Sequence, residues 1–295
     1  MIPAQCIAGL LVALLLLFPA TAAADCRAID GYYPELRDCV DDALQRGLEA
    51  VIRGQGLWPR VERDRFTAAI ADITDLNHPR YAAVRGDQMM YASSLPKIAI
   101  LLAAYARAEV SGAEPDAGLR EDLRLMIRYS DNAAATRALD RIGHQTVLDV
   151  LQSPRLRLYD PAQNGGLWVG KDFASGPSYQ RDPIHNHVHG ATATQVARFY
   201  YLLATGRLVN AAHTREIRGL LGDPVFRNKF VRGLEARPEA KLFRKTGTWR
   251  IFHADGALVE SGDRRLIMVA IAHDPQGGQW LVSLAAPLYD LLMAR

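Results

Sequence analysis

A run of helix-forming, mostly apolar residues from Pro96 to Ala108 most constrains how this chain can fold, because a serine and a lysine stand at its start. Proline is tolerated in the first helical turn, where its missing N–H would be unpaired in any case. The pattern therefore predicts a helix that begins at about Ser93 or Ser94. At a spacing of three residues, the Ser94 and Lys97 side chains share one helical face, with Cβ atoms roughly 5–6 Å apart. The sequence thus places an amine beside a hydroxyl.

The pairing of Ser94 with Lys97 suits nucleophilic catalysis. A serine hydroxyl is a weak nucleophile near neutral pH, so it needs a base and donors for the oxyanion that forms after attack. A helix start supplies free N–H groups and a positive dipole end. The apolar neighbours Ile98, Leu101 and Leu102 are expected to desolvate Lys97 and lower its pKa. The alternative is an N-cap serine followed by a lysine that extends into solvent, and a lone short motif does not decide between them.

Two further motifs follow in chain order, namely Ser130-Asp131-Asn132 and Lys245-Thr246-Gly247-Thr248. Each is ordinary by itself, since the first is typical of a turn or helix cap and the second of a strand end. Together with Ser94-Leu95-Pro96-Lys97, however, the set resembles the serine β-lactamases and penicillin-binding proteins, most closely class A. The resemblance extends to the strand pair before the serine, to the run from Thr192 to Gly206 and to the closing strands and helix. It covers nearly the whole chain after residue 24.

The resemblance implies a role for each residue of the first two motifs. Ser94 would be the acylated nucleophile, and Lys97 its base or proton relay. Ser130 would pass a proton to the leaving nitrogen, because a hydroxyl can donate and accept in turn. Asn132, whose amide offers both kinds of hydrogen bond, would hold the amide side chain of the substrate.

The third motif would bind substrate. By the same resemblance, Lys245 adds positive charge near the substrate carboxylate and Thr246 bonds that carboxylate. Gly247 would let the substrate pass close to the strand, because glycine has no side chain. The N–H of Thr248 would join that of Ser94 as the oxyanion hole.

Class A enzymes carry a glutamate in an E-x-x-L-N loop, where it activates the water for deacylation, and this chain departs from that pattern. No glutamate occurs between Glu121 and Glu216. The nearest match is Asp160-Pro161-Ala162-Gln163-Asn164, which keeps an acid and an asparagine at the same spacing. We therefore predict Asp160 as a catalytic residue, although a general base must come within about 2.6–3.2 Å of its proton, directly or through one water. An Asp-Pro turn without a catalytic role is the alternative.

The stretch from Ser153 to Gly190 is irregular and rich in Pro, Gly, Asp and Asn, and a loop of this length in a compact domain is usually functional. Within it His185, His187 and His189 alternate, so in a strand all three would share one face and could chelate zinc. No nearby cysteine or spaced carboxylate completes such a site, so we predict neither a metal ion nor a cofactor. His189 is nevertheless expected to border the cleft.

The N-terminal segment, residues 1–24, is typical of a signal peptide. The apolar run from Ile7 to Phe18 is too short for a bilayer, which needs about 20 apolar residues, and Ala22-Ala23-Ala24 suits cleavage. Removal of the segment would leave Cys26 and Cys39, and an even pair of cysteines in an exported protein predicts a disulfide. We therefore expect secretion across the inner membrane into the periplasm, with a lipoprotein or two free thiols as the alternatives.

The order of elements indicates an α/β protein of the α+β type, in which an antiparallel sheet is flanked by N- and C-terminal helices and an all-helical lobe is inserted. Strands are predicted over 66–74, 80–85, 241–248, 257–261 and 266–273, and helices over 34–54, 119–127, 133–141, 146–151, 193–203, 211–221 and 280–293. We predict a single β-lactamase-like domain over 25–295, with a sheet lobe at about 25–92 and 207–295 and a helical lobe at about 93–206.

Charge and composition limit the partners. The formal net charge is +3 and the basic residues are scattered, which argues against a nucleic-acid-binding surface. No stretch after the signal is apolar and long enough to span a membrane. Only five lysines occur against thirty arginines, and Lys97 and Lys245 are two of the five. We expect a monomer whose partner is a small β-lactam or a peptidoglycan peptide.

Three functions remain open from the sequence. The first is an exported serine hydrolase that opens the amide bond of β-lactams through an acyl-enzyme on Ser94. The second is a D-alanyl-D-alanine carboxypeptidase or another acyl transferase directed at peptidoglycan, which needs no class A glutamate. The third is a sensor of β-lactams or muropeptides that is acylated and deacylates slowly.

Overall fold

The structure, a computed structural model, describes Met1 and residues 33–222 and 224–294. Within these residues the strands are β1 (Phe66–Asp72), β2 (Arg80–Val84), β3 (Met90–Tyr91), β4 (Tyr159–Asp160), β5 (Gly165–Gly166), β6 (Trp168–Val169), β7 (His189–Ala191), β8 (Lys241–Trp249), β9 (Phe252–Ser261) and β10 (Arg264–His273). The helices are α1 (Asp42–Gly54), α2 (Trp58–Glu62), α3 (Lys97–Ser111), α4 (Ala117–Arg128), α5 (Asn132–Ile142), α6 (His144–Gln152), α7 (Ala193–Ala204), α8 (Ala211–Leu221), α9 (Lys229–Gly233) and α10 (Gly277–Met293). Apart from Met1, the predicted signal peptide lies outside the described residues.

The main sheet joins the two ends of the chain. Its strands run antiparallel in the order β2-β1-β10-β9-β8. Since β1 and β2 precede α3 and the other three strands follow α9, the helices between them are an insertion between two parts of one sheet. The predicted α+β fold with an antiparallel sheet is confirmed.

Each face of the main sheet packs against its own hydrophobic core. Along β1, Ala69 and Ala71 belong to one core, whereas Phe66, Ala68 and Ile70 belong to the other. This division follows from the alternation of side chains along a strand. Helix α7 packs on the first face, and α1 and α10 pack on the second. Because both faces are buried there, β1 and most of β10 are apolar, which explains why they are recognisable in the sequence.

The segment predicted as one helix over 34–54 is divided, and that prediction is wrong. A short 3-10 turn at Leu36–Asp38 precedes α1. Between them Cys39 and Asp41 exchange backbone hydrogen bonds with Tyr81 of β2, which removes this stretch from a helix. The Asp41 carboxylate then caps α1 by accepting a bond from the amide of Leu44 at 2.7 Å. Cys39 is disulfide-bonded, and its predicted partner Cys26 lies outside the described residues.

The apolar helix starts later than its sequence indicates. Helix α3 begins at Lys97, and the residues before it form a tight turn in which Leu95, Lys97 and Ile98 each donate to the carbonyl three residues earlier. Ser93 adopts a left-handed conformation with φ 55° at the start of this turn. Ser94 therefore lies in the turn between β3 and α3 and not in the helix itself.

The irregular stretch after α6 is held against this turn by a small sheet. Strand β7 pairs with both β3 and β6. The amide of Ala92 extends this pairing by donating to the carbonyl of His189 at 2.9 Å. The long loop is thus fixed beside Ser94.

None of the helices in the described part of the chain is both long enough and apolar enough to cross a membrane.

Candidate active site

Strand β8 passes directly against the turn that carries Ser94. A Cβ atom at Gly247 would lie 2.3 Å from the carbonyl oxygen of Ala92 and 2.9 Å from the amide nitrogen of Ser94. Real Cβ atoms do not approach backbone so closely, so only glycine permits this contact. The absence of a side chain brings the edge strand and the serine turn together, a contact that the sequence did not predict.

The Lys97 amine is fully buried at the base of the site. Its Nζ donates to the carbonyl of Ser130 at 2.6 Å and to Oδ1 of Asn132 at 2.7 Å, with the carbonyl of Asp131 farther away at 3.3 Å. Burial lowers the pKa of Lys97 to about 7, against the opposing effect of the Asp131 charge. The expected lowering of this pKa is confirmed. A neutral amine can keep the two short bonds and still offer a lone pair, which a fully protonated ammonium cannot.

The turn between α4 and α5 presents Ser130 and Asn132 to the site. Ser130 has a left-handed φ of 55°. Asp131 fixes the turn by capping α5, where its carboxylate accepts a bond from the amide of Ala134 at 2.7 Å. The Ser130 hydroxyl lies 2.8 Å from Nζ of Lys245. The three sequence motifs therefore converge at Ser130.

Lys245 is almost fully buried in β8. Its Nζ donates to the Ser130 hydroxyl and to the carbonyl of Thr246, the latter at 2.9 Å. Burial and the nearby charge of Lys97 hold the pKa of Lys245 well below its ordinary value. Two lysines with lowered pKa values therefore contact Ser130, Lys97 at its carbonyl and Lys245 at its hydroxyl. Groups with shifted pKa values are typical of sites that transfer protons.

A third lysine, which sequence reasoning missed, lies behind the same strand. Nζ of Lys229 donates to the hydroxyl of Thr246 at 3.0 Å and to that of Thr248 at 2.8 Å. It also donates to the carbonyls of Gly247 at 2.5 Å and Ala254 at 3.0 Å. Burial lowers the pKa of Lys229 to about 8, against the opposing charge of Asp255. Its cation holds both threonine hydroxyl oxygens, and the Thr246 hydroxyl itself donates to the carbonyl of Ala254 at 3.2 Å.

A buried ion pair positions Lys229. Arg244 and Asp255 lie on neighbouring strands with Nε and Oδ1 2.7 Å apart, and their side chains are 1% and 0% exposed. Arg244 also donates to Oδ1 of Asn228 at 2.6 Å, and the other Asp255 oxygen accepts from the amide of Phe230 at 3.1 Å. These bonds hold the residues on either side of Lys229 against β8 and β9. The rarity of lysine in the chain was the one sequence signal that could have drawn attention to it.

A cleft with a volume of about 1030 Å³ opens in front of Ser94. Its lining combines motif residues, the loop after β6 and an aromatic rim, and it includes Ser94, Asn132, Lys171, Asp172, Phe173, His187, His189, Thr248, Trp249 and Phe252. The structure thus brings together the residues of all three motifs, and it adds a loop whose role the sequence did not define.

A sequence profile of the β-lactamase enzyme family matches residues 111–292, which is more than half of the chain. The chain belongs to this family. It is a β-lactamase-like serine hydrolase with the antiparallel sheet and helices described above. No curated protein matches the sequence.

Solved structures with the same fold are similar to this chain at low sequence identity. A PBP-A variant in an acyl-enzyme complex with penicillin G is 18% identical, with a TM-score of 0.65 over 89% of this chain and 100% of that one. A class A β-lactamase from Bacteroides cellulosilyticus is 14% identical, with a TM-score of 0.66 over 86% and 100%. The TLA-3 extended-spectrum β-lactamase is 10% identical, with a TM-score of 0.67 over 85% and 98%. At these identities the likeness concerns the fold.

Asp160 lies outside the cleft in front of Ser94. Its carboxylate pairs with Arg157 and accepts a bond from the amide of Ala162 at 3.0 Å, which caps a short 3-10 turn that starts at Pro161. It lines a separate depression with Arg198 and other arginines, and it is not among the residues around Ser94. The structure therefore favours the Asp-Pro turn over the predicted catalytic role.

The space beside Lys97 is occupied by an aromatic ring. The ring of Phe173 lies 4.7 Å from Nζ of Lys97 and stacks on His189 with centroids 3.9 Å apart and planes 9° apart. His189 is 5% exposed and lines the cleft, as expected from its place in the sequence. The long loop thus contributes Phe173 and His189 to the cleft in front of Ser94.

The three alternating histidines do not converge on one point. The rings of His185 and His187 are 6.1 Å apart, while Nε2 of His189 bonds the carbonyl of Lys171. Within residues 33–222 and 224–294, the side chains that could together hold a metal ion are Asp140, His144 and Asp172 instead. Two of these already bond each other, Nε2 of His144 lying 2.7 Å from Oδ1 of Asp172.

Proposed function

We propose that this protein hydrolyses β-lactams through an acyl-enzyme on Ser94. The observation that carries the proposal is the meeting of Lys97 and Lys245 at Ser130 beside the Ser94 turn. In the first step the Ser94 hydroxyl oxygen attacks the lactam carbonyl carbon, and its proton passes to neutral Lys97. The oxyanion that forms accepts bonds from the amides of Ser94 and Thr248.

Opening of the ring completes acylation. The bond between the carbonyl carbon and the lactam nitrogen breaks, and the nitrogen takes the proton of the Ser130 hydroxyl. The proton that Lys97 took from Ser94 replaces it on the Ser130 oxygen and leaves Lys97 neutral again, while Lys245, 2.8 Å away, stabilises that oxygen. The product of this half of the reaction is an ester between the substrate and Ser94.

Recognition of the substrate carboxylate follows from the charges behind β8. Lys245 and Lys229 place two amines against the strand, and Lys229 holds the hydroxyls of Thr246 and Thr248. Hydrogen bonds to a charged group are stronger than neutral ones, so an anionic substrate is favoured here. Asn132 would bond the amide side chain on the opposite side of the cleft.

A peptidoglycan carboxypeptidase is the second candidate, and a specific observation favours it. The ring of Phe173 stands beside Lys97, where a carboxylate base for deacylation could otherwise lie. An enzyme that deacylates slowly on β-lactams would then act on peptides or serve as a sensor. The similarity to a PBP-A variant in complex with penicillin G is compatible with acylation in either case.

Incubation of the full chain with a chromogenic cephalosporin, followed by intact-mass measurement, distinguishes these functions. A hydrolase shows steady colour formation and a transient adduct that maps to Ser94, and Ser94→Ala abolishes both. Ser93→Ala is the matched control, because the Ser93 hydroxyl is buried beside the nucleophile and bonds no described residue. A persistent adduct with no turnover supports the sensor, and release of D-alanine from a pentapeptide supports the carboxypeptidase. An adduct on Ser93 or Ser130 contradicts the assignment.

We also propose that residues 1–24 direct export to the periplasm, that Cys26 bonds Cys39, and that the mature chain is a monomer of one domain with a sheet lobe and a helical lobe. Support comes from the apolar N-terminal run and from the disulfide at Cys39. N-terminal sequencing of protein recovered from periplasmic extracts should begin at Asp25. A mature chain that starts at Cys26 and carries lipid would contradict simple secretion.

A further inference from the structure

Turnover requires a base that activates water against the ester on Ser94, and the carboxylates that line the cleft are poorly placed for this task. Asp172 bonds His144 at 2.7 Å, and Asp64 is an exposed residue 3.6 Å from Arg85. Asp160 lies in another depression. The general base should therefore be sought among the other polar groups that line the cleft.

We propose that the imidazole of His189, acting through Nδ1, is the general base that activates the hydrolytic water in deacylation. This inference rests on the proposed acyl-enzyme function of Ser94. Three observations support it, namely the attachment of His189 to the Ser94 turn, the tautomer that its hydrogen bond selects, and the charges around its ring.

The attachment of His189 is direct. Its carbonyl accepts the amide hydrogen of Ala92 at 2.9 Å, two residues before Ser94, and its strand pairs with β3, which leads into the serine turn. The ring lies against Phe173, which is also 4.7 Å from Nζ of Lys97. The imidazole is thus held on the wall of the same cleft as the nucleophile.

The tautomer of His189 follows from its one hydrogen bond. Nε2 lies 2.8 Å from the carbonyl oxygen of Lys171, and a carbonyl oxygen can only accept. Nε2 therefore carries the hydrogen, and in the neutral ring Nδ1 is an unprotonated acceptor. In the described part of the chain Nδ1 bonds no residue. Some solvent still reaches this atom, whereas other unpartnered side-chain atoms are fully buried. Its lone pair is available to a water molecule in the cleft.

The surroundings keep the imidazole neutral before reaction. Burial lowers the pKa of His189 to about 4, against the opposing hydrogen bond to the Lys171 carbonyl, and the charges of Lys171 and Lys97 lower it further while that of Asp172 raises it. Tyr91 and Phe173, the rings nearest to it, carry no charge. The neutral imidazole can therefore accept a proton from water.

Deacylation proceeds in two stages. Water oxygen attacks the ester carbonyl carbon and gives one proton to Nδ1, which forms an imidazolium. The tetrahedral intermediate then collapses as its bond to the Ser94 oxygen breaks. The imidazolium proton is returned to that oxygen, and the product leaves as a carboxylic acid. Nothing beyond water is consumed.

The decisive variant is His189→Gln. The side-chain amide of glutamine can keep the bond to the Lys171 carbonyl, but it offers no basic nitrogen. We expect acylation by a chromogenic cephalosporin to stay within about threefold of wild type, while deacylation slows by a factor on the order of 10²–10⁴, the usual contribution of a positioned general base. Stopped-flow burst kinetics and a time course of intact mass measure the two steps separately.

Two controls make the result specific. His78→Gln changes an exposed histidine between β1 and β2, and Asp149→Asn changes an exposed carboxylate of α6; both should deacylate normally. Normal deacylation by His189→Gln overturns the inference while leaving the Ser94 acyl-enzyme intact. A wild-type protein that forms no adduct, or one that acylates without turnover, overturns the inference and the proposed hydrolysis together.

The pH dependence of wild-type deacylation tests the inference even if the variant fails to fold. The base must be neutral, so the rate should be constant from pH 6 to 9 and should fall only as pH approaches about 4, where His189 gains a proton. A deacylation rate that falls with an apparent pKa near 7 would instead point to Lys97.

Discussion

The Nζ atom of Lys245 lies 2.8 Å from the hydroxyl oxygen of Ser130. The carbonyl of the same serine accepts a bond from Lys97 at 2.6 Å, so one residue of the helical part of the chain connects a lysine of α3 with a lysine of β8. Both lysines are buried, and both are less basic than usual for that reason. Ser130 therefore contacts both lysines, Lys97 through its carbonyl and Lys245 through its hydroxyl, the group that we propose as proton donor to the leaving nitrogen.

Replacement of Lys97 by alanine should remove the base for acylation. We expect the acylation rate to fall by a factor on the order of 10²–10⁴, because that is the usual contribution of a positioned proton-transfer group. Burst kinetics with a chromogenic cephalosporin measure the change. Lys241→Ala, which removes an exposed lysine of β8, is the control and should acylate normally. Near-normal acylation by Lys97→Ala would show that this lysine is structural.

The pH dependence of acylation should report the titration of Lys97. Only the neutral amine can accept the Ser94 proton, and burial lowers the pKa of Lys97 to about 7. The acylation rate should consequently rise with pH through about 7 and level off above it. Single-turnover measurements between pH 5 and 9 test this expectation. A rate that is constant over the whole range would exclude Lys97 as the base.

Gly247→Ala should disrupt the oxyanion hole. The added Cβ would lie 2.3 Å from the carbonyl oxygen of Ala92, which forces β8 away from the Ser94 turn. We expect acylation to slow by a factor on the order of 10²–10³, as for the loss of one oxyanion donor. Gly219→Ala is the control, because a Cβ at this helical position meets nothing within 4 Å. Equal acylation by both variants would contradict the close approach of strand and turn.

How far the sequence predicts this site depends on where each residue lies. Ser94 and Ser130 occupy turns and Lys245 a strand, each in a motif with a local signal in the sequence, and the resemblance of the motif set to the serine β-lactamases predicted that they meet. The turn before α3 was misjudged because Pro96 and the residues after it are good helix formers, while the left-handed Ser93 gives no signal of its own.

Residues placed by tertiary packing could not be predicted in the same way. Lys229 reaches the site because the buried pair Arg244 and Asp255 holds its segment, and no spacing rule relates these positions. Phe173 reaches Lys97 because the small sheet of β3, β6 and β7 fixes a loop without periodicity. Loops of this kind are determined by their contacts, whereas strands and helices leave a repeating pattern in the sequence.

Lys229→Met should weaken the binding of anionic substrates more than it affects chemistry. The change keeps most of the buried volume but removes the donor that holds Thr246 and Thr248. Since hydrogen bonds to charged groups contribute roughly 1.5–3 kcal/mol, we expect KM to rise roughly tenfold or more with a smaller change in kcat. Lys241→Met is the matched control. An unchanged KM for a carboxylate-bearing β-lactam would show that Lys229 has only a structural role.

Asp160→Asn tests whether the acid with class A spacing takes part in the reaction. In the structure its carboxylate pairs with Arg157 and caps a turn, in a depression separate from the Ser94 cleft. Asparagine can keep the cap, because its carbonyl oxygen still accepts from the amide of Ala162, so only the ion pair is lost. Arg157 is 58% exposed, and an ion pair of this kind contributes less than about 1 kcal/mol. We therefore expect a small loss in thermal stability and unchanged rates of both acylation and deacylation. If the acyl-enzyme of Asp160→Asn accumulated while its acylation stayed fast, Asp160 would be the base for deacylation, and the turn would have to open towards Ser94 during turnover.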